Sequence, residues 1–292
     1  MRTILSPPQE TLLNAAGLLA VEPNCFAGLR MWADRIHVVV APLDRHRKIE
    51  GIMLILDQAT AAAWSDNAPV PEPAIIGVGG KRIGVLDVIG FLTKSDSPGR
   101  AGLVTLRSQL RGLVDDGQVN AVLLRIDSPG GTVAGTADLA AEITRARKSL
   151  PVFAYVEDLA AASAYWIASQ AEKVYANTAT CLVGEIGTFV SLYDRSRQFG
   201  KAGVKAIVLR AGEFKTVGFP GTEITDKQRS YLQDLVDRTQ AEFNKAISGR
   251  KINPAAIASG KAYLAGDAVK LGLIDGVKTI DNVLAELANK TK

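Results

Sequence analysis

The sequence predicts an α/β protein with a largely parallel sheet, and three observations support this fold class. From Arg82 onward, short apolar runs typical of buried strands alternate with segments whose apolar residues recur at helical spacing. Loops rich in glycine follow several of these runs. Neither an internal repeat nor an apolar stretch of about eighteen residues, long enough to span a bilayer, interrupts the alternation.

The predicted elements of this regular part follow one another along the chain. Aliphatic and β-branched runs predict strands at 83–89, 121–126, 152–156, 173–176 and 205–209. Helical spacing of apolar residues predicts helices at 103–113, 139–146, 161–171 and 225–248. Strands that alternate with helices in this way favour parallel pairing, with the helices packed on the sheet.

The first 80 residues have a different pattern. Helix-like segments at 12–19, 26–36 and 58–64 accompany strand-like segments at 36–41 and 51–56, and a proline-rich stretch follows at 67–73. We therefore expect a small α+β N-terminal extension over 1–80, a main domain over 81–283 and a C-terminal tail over 284–292.

Charge and composition argue against several classes of function. A net charge of +4, from 34 basic and 30 acidic residues without a block of like charges, does not favour nucleic acid binding. Cys25, Cys181, His37 and His46 lack the spacing of metal ligands, so neither a metal nor another cofactor is expected. The N-terminus does not resemble a signal peptide, and no membrane span is predicted. A reducing, cytoplasmic location is the simplest expectation.

Three loops at predicted strand ends carry groups suited to catalysis. In the loop 127–132, Gly130 and Gly131 leave backbone N–H groups free for an anion or a developing oxyanion. Ser163 lies among small residues at a predicted strand-to-helix turn, a place that suits a nucleophile. Lys215 follows another predicted strand and is a candidate general base. Each also has a plain structural interpretation, as a Pro-Gly turn, a helix cap and a surface lysine.

Other catalytic arrangements lack the residues they need. Both histidines precede residue 80, which disfavours a Ser-His-Asp triad in the main domain. The carboxylates of Glu157 and Asp158 are adjacent in sequence and would point apart, so they do not form a catalytic pair. The stretch 77–82 completes neither a dinucleotide fingerprint nor a P-loop.

The ordered series of motifs resembles the signal peptide peptidase A (protease IV) family, serine peptidases of the ClpP/crotonase superfamily. The similar segments are 126–131, 160–169, 183–187, 211–215 and 263–275, which follow the family order over about 82 to 280. Shorter cytoplasmic and phage- or prophage-type members, including head-maturation proteases, are the most similar kind. The resemblance implies a repeated β-β-α spiral fold, a peptide or protein substrate and assembly as a homo-oligomer.

The resemblance also implies a Ser-Lys dyad. Ser163 would attack the scissile carbonyl, and Lys215 would accept its proton and later donate it to the leaving amine. The amides of Gly130, Gly131 and Ala164 would bind the oxyanion.

The register of the turn leaves two arrangements open. Counting from the motifs on either side places Ala162, rather than Ser163, at the family's nucleophile position, and one residue at a helix start rotates a side chain by about 100°. Either the turn is rebuilt, with 177–182 absorbing the shift, so that Ser163 occupies the site, or the chain is an inactive relative that binds or assembles. A crotonase-type acyl-CoA enzyme would share the fold but would not explain the serine and lysine motifs.

Overall fold

A computed structural model describes residues 36–39, 53–56, 69–97 and 99–291 of the chain. In the N-terminal part, strands β1 (Ile36–Val39) and β2 (Met53–Leu56) pair antiparallel, with Ile36 opposite Leu56. Both strands coincide with strand-like segments of the sequence. The helix-like segments predicted at 12–19, 26–36 and 58–64 lie outside the described residues, except for Ile36, which begins β1.

The main sheet contains eight strands and carries helices on both faces. Its strands are β3 (Ala74–Val78), β4 (Lys81–Ile89), β5 (Ala121–Ser128), β6 (Val152–Ala161), β7 (Lys173–Ala176), β8 (Leu182–Gly184), β9 (Ala262–Leu264) and β10 (Gly276–Val277). The helices are α1 (Leu103–Asp115), α2 (Thr136–Ala146), α3 (Ser163–Ser169), α4 (Ser196–Lys201), α5 (Asp226–Ile247), α6 (Pro254–Ala258), α7 (Ala265–Lys270) and α8 (Ile280–Lys290).

The sheet is mostly parallel, which confirms the predicted α/β class. The strand order is β10-β7-β6-β5-β4-β3, and only β3 runs antiparallel to its neighbour on this path. Beyond the end of β7, the last residues of β6 pair in parallel with β8, which in turn pairs antiparallel with β9. The carboxyl ends of β5, β6 and β8 therefore meet at one edge of the sheet.

Alternating side chains of the central strands build a core on each face. In β5, Val122 and Leu124 pack against α1, α2 and α3 in the larger cluster, whereas Leu123 faces the opposite side. There it joins Phe153 of β6 and Leu287 of α8. Because both faces are covered, the central strands read as continuous apolar runs rather than as alternating ones.

Two segments near the predicted domain boundaries belong to this packed unit. The β3–β4 hairpin crosses residue 80, with Ala74 paired to Val85 and Val78 paired to Lys81. Residues 284–290 of the predicted tail 284–292 lie in α8, and Leu287 is fully buried. The described domain therefore extends from the hairpin to α8.

The structure differs from the sequence prediction at two strands. β6 continues past Val156 to Ala161, because a register shift lets Ile126 pair with Val156 while Ser128 pairs with Ala160. The strand predicted at 205–209 does not form, and Leu209 in this segment is 94% exposed. Within the described ranges, no helix has both the length and the apolar character needed to cross a bilayer.

Candidate active site

A strained turn joins β6 to α3, and its central residue is Ala162. This residue has φ 49° and ψ −121°, a conformation that L-amino acids rarely adopt. Its N–H donates to Gly184 O at 2.9 Å, and its carbonyl accepts from Trp166 N at 3.0 Å, which starts the helix. A sharp strand-to-helix turn of this kind lifts one side chain above the sheet end. Ala162 occupies that position, and Ser163 is the first residue of the helix.

The Pro-Gly-Gly loop after β5 packs directly against this turn. A Cβ on Gly130 would lie 2.9 Å from Ala162 Cβ and 2.9 Å from Ser163 N, and a Cβ on Gly131 would lie 1.9 Å from Leu92 O. Leu92 N also donates to Gly130 O at 2.8 Å, and this bond holds the loop in place. Only glycines fit at both positions, because the backbones of three segments meet here.

The two loop glycines differ in their free donors. Gly130 N–H donates to Ser128 Oγ at 3.0 Å, and that hydroxyl donates to Gly90 O at 2.6 Å. Gly131 N–H has no acceptor in the part of the chain that the structure describes. Ser163 and Ala164 lie in the first turn of α3, where the N–H groups have no intrahelical acceptor. Gly131 is thus the loop residue with an amide available for an oxyanion.

Ser163 points into the protein rather than into a groove. The residue is 7% exposed, and its hydroxyl is buried without a hydrogen-bond partner among the described residues. Burying a hydroxyl without a partner costs about 1–3 kcal/mol. The absence of a partner also means that Lys215 does not hydrogen-bond to Ser163 within this chain.

Lys215 lies on an exposed turn next to α5. Its N–H donates to Gly212 O at 3.3 Å, and its side chain is exposed. The turn is anchored by the Glu213–Lys227 ion pair at 2.5 Å and by the ring contact of Phe214. Four of the predicted site residues thus lie together around Ala162: Gly130, Gly131, Ser163 and Ala164. The fifth, Lys215, makes no hydrogen bond to Ser163.

Sequence reasoning did not single out Glu185, although it lies within the 183–187 segment. Glu185 directly follows Gly184, whose carbonyl accepts from Ala162, and its own N–H donates to Lys261 O at 2.9 Å. It has φ 48°, and it and Ala162 are the two non-glycine residues with positive φ across the described ranges. Burial raises the pKa of its partly buried carboxyl group. An acidic residue in a glycine-rich motif was the available signal.

The segment after Glu185 lines an open groove of about 530 Å³ against α5. Its lining is mixed: Phe189, Val190, Leu192, Ile224, Leu232 and Val236 are apolar, and Thr188, Asp194, Arg229 and Gln233 are polar or charged. Thr188 at its near end donates to Val236 O at 3.2 Å, which connects the segment to α5. The groove therefore begins three residues from Glu185.

Similar proteins carry protease names. The chain is 34% identical over 182 residues to a putative protease of Methanocaldococcus jannaschii, covering 61% of this chain and 58% of that protein. It is 30% identical over 201 residues to the capsid assembly protease C of Escherichia phage lambda, covering 66% of this chain and 46% of the phage protein. The chain thus spans about half the length of these relatives.

One solved structure that the chain matches is that of a ClpP1 mutant from Listeria monocytogenes. It has a TM-score of 0.41 and 13% identity, and the match covers 68% of this chain and 94% of that one.

The sequence pattern of peptidase family S49 matches residues 144–292, which is just over half of the chain. That match includes the strained turn, Glu185 and Lys215, and the chain belongs to peptidase family S49.

Proposed function

We propose that the protein is a serine endopeptidase with Ser163 as nucleophile and Lys215 as general base. The substrates would be of the signal-peptide-peptidase type or the phage-head-maturation type. The observation that carries this proposal is the meeting of free amides at one strained turn, with Gly131 N–H on the loop and the first amides of α3 beside it. Such preorganised donors stabilise the oxyanion of acyl transfer. Membership of a peptidase family supports the same chemistry.

The proposed reaction proceeds in two halves. Ser163 Oγ bonds to the scissile carbonyl carbon while its proton moves to the neutral Lys215 amine. The oxyanion then collapses, the C–N bond breaks, and the lysine ammonium gives its proton to the leaving amine. Water attacks the acyl-enzyme in the same way and releases the new carboxylate. Because a lysine accepts a proton only in its neutral form, activity should rise toward alkaline pH.

This reaction requires Ser163 to leave its buried position. In the described conformation the Ser163 hydroxyl is buried and has no hydrogen-bond partner, which costs about 1–3 kcal/mol of folding stability. A one-residue shift of the turn would relieve that cost, and it would place Ser163 at the central position, where it would take over the strained φ that Ala162 now has. The buried, unpartnered hydroxyl therefore supports a second register in which Ser163 faces the site.

A second candidate function is peptide binding without hydrolysis. It is favoured by one specific observation, the place of Ala162 at the centre of the strained turn, against Gly130. A methyl group cannot act as a nucleophile. In this case the chain would hold peptides or assemble with partners while retaining the peptidase fold.

Fluorophosphonate labelling discriminates between the two functions. The wild type, Ser163→Ala and Ala162→Ser are treated with the probe, with Ser169→Ala as a control at another buried serine of α3. Labelling of the wild type and of Ser169→Ala, lost in Ser163→Ala, supports the peptidase. An unlabelled wild type together with a labelled Ala162→Ser protein would refute Ser163 as nucleophile and support the binding function.

We also propose a cytoplasmic homo-oligomer. Support comes from the exposed apolar segment 204–209, in which Ile207 is 80% exposed and Leu209 is 94% exposed. Surfaces of this kind mark interaction sites. Light scattering on the wild type and on Leu209→Asp tests assembly, because a charge there should shift the population toward monomers. Unchanged mass would count against this segment as the interface.

Cell fractionation tests the proposed cytoplasmic location.

A further inference from the structure

We propose that Glu185 binds a lysine or arginine side chain of the peptide substrate and so determines specificity next to the scissile bond. This inference rests on the proposed function only in taking peptides as the ligands. It assigns a role to a residue that neither the dyad nor the oxyanion donors use.

The position of Glu185 places it beside the reactive turn. Strand β6 lies between β5 and β8 at this edge, so the end of each neighbouring strand flanks Ala162. On one side is the Gly130 loop, and on the other is Gly184, whose carbonyl accepts the Ala162 amide at 2.9 Å. Glu185 is the next residue along the chain. A peptide held with its carbonyl at Gly131 therefore passes close to this residue.

The carboxylate of Glu185 lacks a counter-charge. No hydrogen bond or ion pair to it exists within the described ranges, and burial is the sole cause of its raised pKa. Lys261 contacts it only through the main chain, since the Lys261 carbonyl accepts from Glu185 N–H and the lysine side chain is exposed. Partly buried carboxylates are normally paired, because removing them from water is unfavourable. The Glu185 oxygens are not among the fully buried unpartnered atoms, so a ligand cation can reach the carboxylate and pair with it.

The backbone at Glu185 supports a functional role. A φ of 48° suits glycine or asparagine, and a glutamate is held there against a conformational cost. Residues kept in such conformations cluster at ligand sites, where the surrounding structure fixes them. Both the strain and the unpaired charge would disappear with glycine at this position.

The neighbouring groove indicates the rest of the ligand. The chain continues from Glu185 into the apolar lining of Phe189, Val190 and Leu192. A peptide that places a basic side chain at Glu185 would set apolar residues in this groove. The preferred substrate is therefore a peptide in which a lysine or arginine adjoins apolar residues.

The test uses fluorescence anisotropy with labelled hexapeptides of apolar residues. One position, moved along the peptide, holds lysine, arginine, norleucine or glutamate. Binding is measured in the Ser163→Ala protein, so that cleavage by the proposed nucleophile does not interfere. We expect the lysine and arginine peptides to bind about tenfold more tightly than the norleucine peptide, since a tenfold ratio is the usual effect of one good charged contact. Adding Glu185→Gln should remove this preference. Adding Glu242→Gln, a change at a 69% exposed side chain on α5, should keep it.

Each outcome decides the inference separately from the peptidase. Equal binding of the lysine and norleucine peptides at every position overturns the role of Glu185 and leaves the peptidase proposal intact. Tighter binding of the lysine and arginine peptides that appears only after Lys215→Met is added would show that Glu185 pairs with Lys215. That result also overturns the inference. A preference that depends on Glu185, in a protein whose wild type is not labelled by fluorophosphonate, upholds the inference while the peptidase proposal fails.

Discussion

The Ala162 amide donates a 2.9 Å hydrogen bond to the carbonyl of Gly184, the residue directly before Glu185, and Ala162 and Glu185 are the two non-glycine residues with positive φ in the described ranges. Ala162 directly follows β6, and Glu185 directly follows β8. Strain of this kind costs about 1–3 kcal/mol at each residue. Because β6 and β8 are paired strands, the cost is concentrated at one edge of the sheet.

Relief of the strain at Glu185 should stabilise the fold. We expect Glu185→Gly to raise the free energy of unfolding by about 1 kcal/mol, because glycine adopts positive φ without a steric penalty. The same substitution at Glu242, inside α5, should lower it by about 1 kcal/mol. Urea unfolding of both variants measures the difference. Equal destabilisation by the two changes would show that the φ of Glu185 carries no cost.

The loop glycine should be far more sensitive to substitution than a helical one. Gly131→Ala would bring a methyl group within 1.9 Å of Leu92 O, so we expect a loss of about 1–3 kcal/mol and loss of peptide turnover. Gly112→Ala, on the open face of α1, meets no atom within 4 Å and should stabilise by about 0.5–1 kcal/mol. Thermal unfolding and a peptidase assay separate the two. A Gly131→Ala protein with wild-type stability would contradict the close approach to Leu92.

Preference for basic peptides should depend on pH. Burial raises the pKa of Glu185, so its negative charge is lost at a higher pH than that of an ordinary glutamate. As the pH falls through this raised pKa, tight binding of the lysine peptide should fade toward the level of the norleucine peptide. The side chain of nearby Lys261 is exposed. Anisotropy titrations from pH 8 to 4 measure the change. In Glu185→Gln the ratio should stay flat, and a slope there would assign the effect to another group.

Asp275 should make the fold sensitive to acid. Burial disfavours its charge, but hydrogen bonds from Val174 N–H at 2.8 Å and Arg250 at 2.5 Å outweigh this, and the pKa is lowered. A carboxyl whose pKa is lower in the folded state stabilises the fold above its ordinary pKa. That contribution disappears as the pH falls through the lowered value.

Replacing Asp275 therefore has a pH-dependent effect. Because Arg250 loses its partner, we expect Asp275→Asn to cost about 1–3 kcal/mol at pH 7, and less at an acidic pH below the lowered pKa of Asp275. Asp267→Asn, at an exposed pair with Lys270, should change stability little at either pH. Denaturant unfolding at several pH values gives the comparison. Parallel pH profiles for the wild type and Asp275→Asn would rule out this role of Asp275.

Local pattern was sufficient to predict most of the main sheet. The central strands and α1, α2 and α5 follow from apolar runs and helical spacing, since their buried faces are set by sequence neighbours. The end of β6 was missed because Glu157 and Asp158 interrupt the apolar run, although Glu157 is only partly exposed beside Arg125. The segment 205–209 has the composition of a strand but has no partner strand in the described chain. Pairing depends on tertiary contacts that composition does not contain.

The site was predictable in its parts but not in its register. Gly130 and Gly131 could be selected because a glycine pair after a predicted strand leaves backbone N–H groups free for an oxyanion, although the same pattern is also that of a plain Pro-Gly turn. Whether Ala162 or Ser163 occupies the turn depends on the backbone torsion at one residue, which family spacing indicates only indirectly. Glu185 was missed because its distinctive features, a positive φ and an unpaired carboxylate, exist only in the folded chain.

The hairpin that crosses residue 80 sets a lower limit on the smallest fragment that can fold by itself. β3 pairs with β4 from Ala74 to Val78, and its partly buried Ile76 and Val78 pack against the cluster that includes Leu287. A truncation starting at residue 81 would uncover the backbone of β4 along an open sheet edge, which invites intermolecular strand pairing. A fragment intended for transfer into another protein should therefore begin before Ala74 and retain α8.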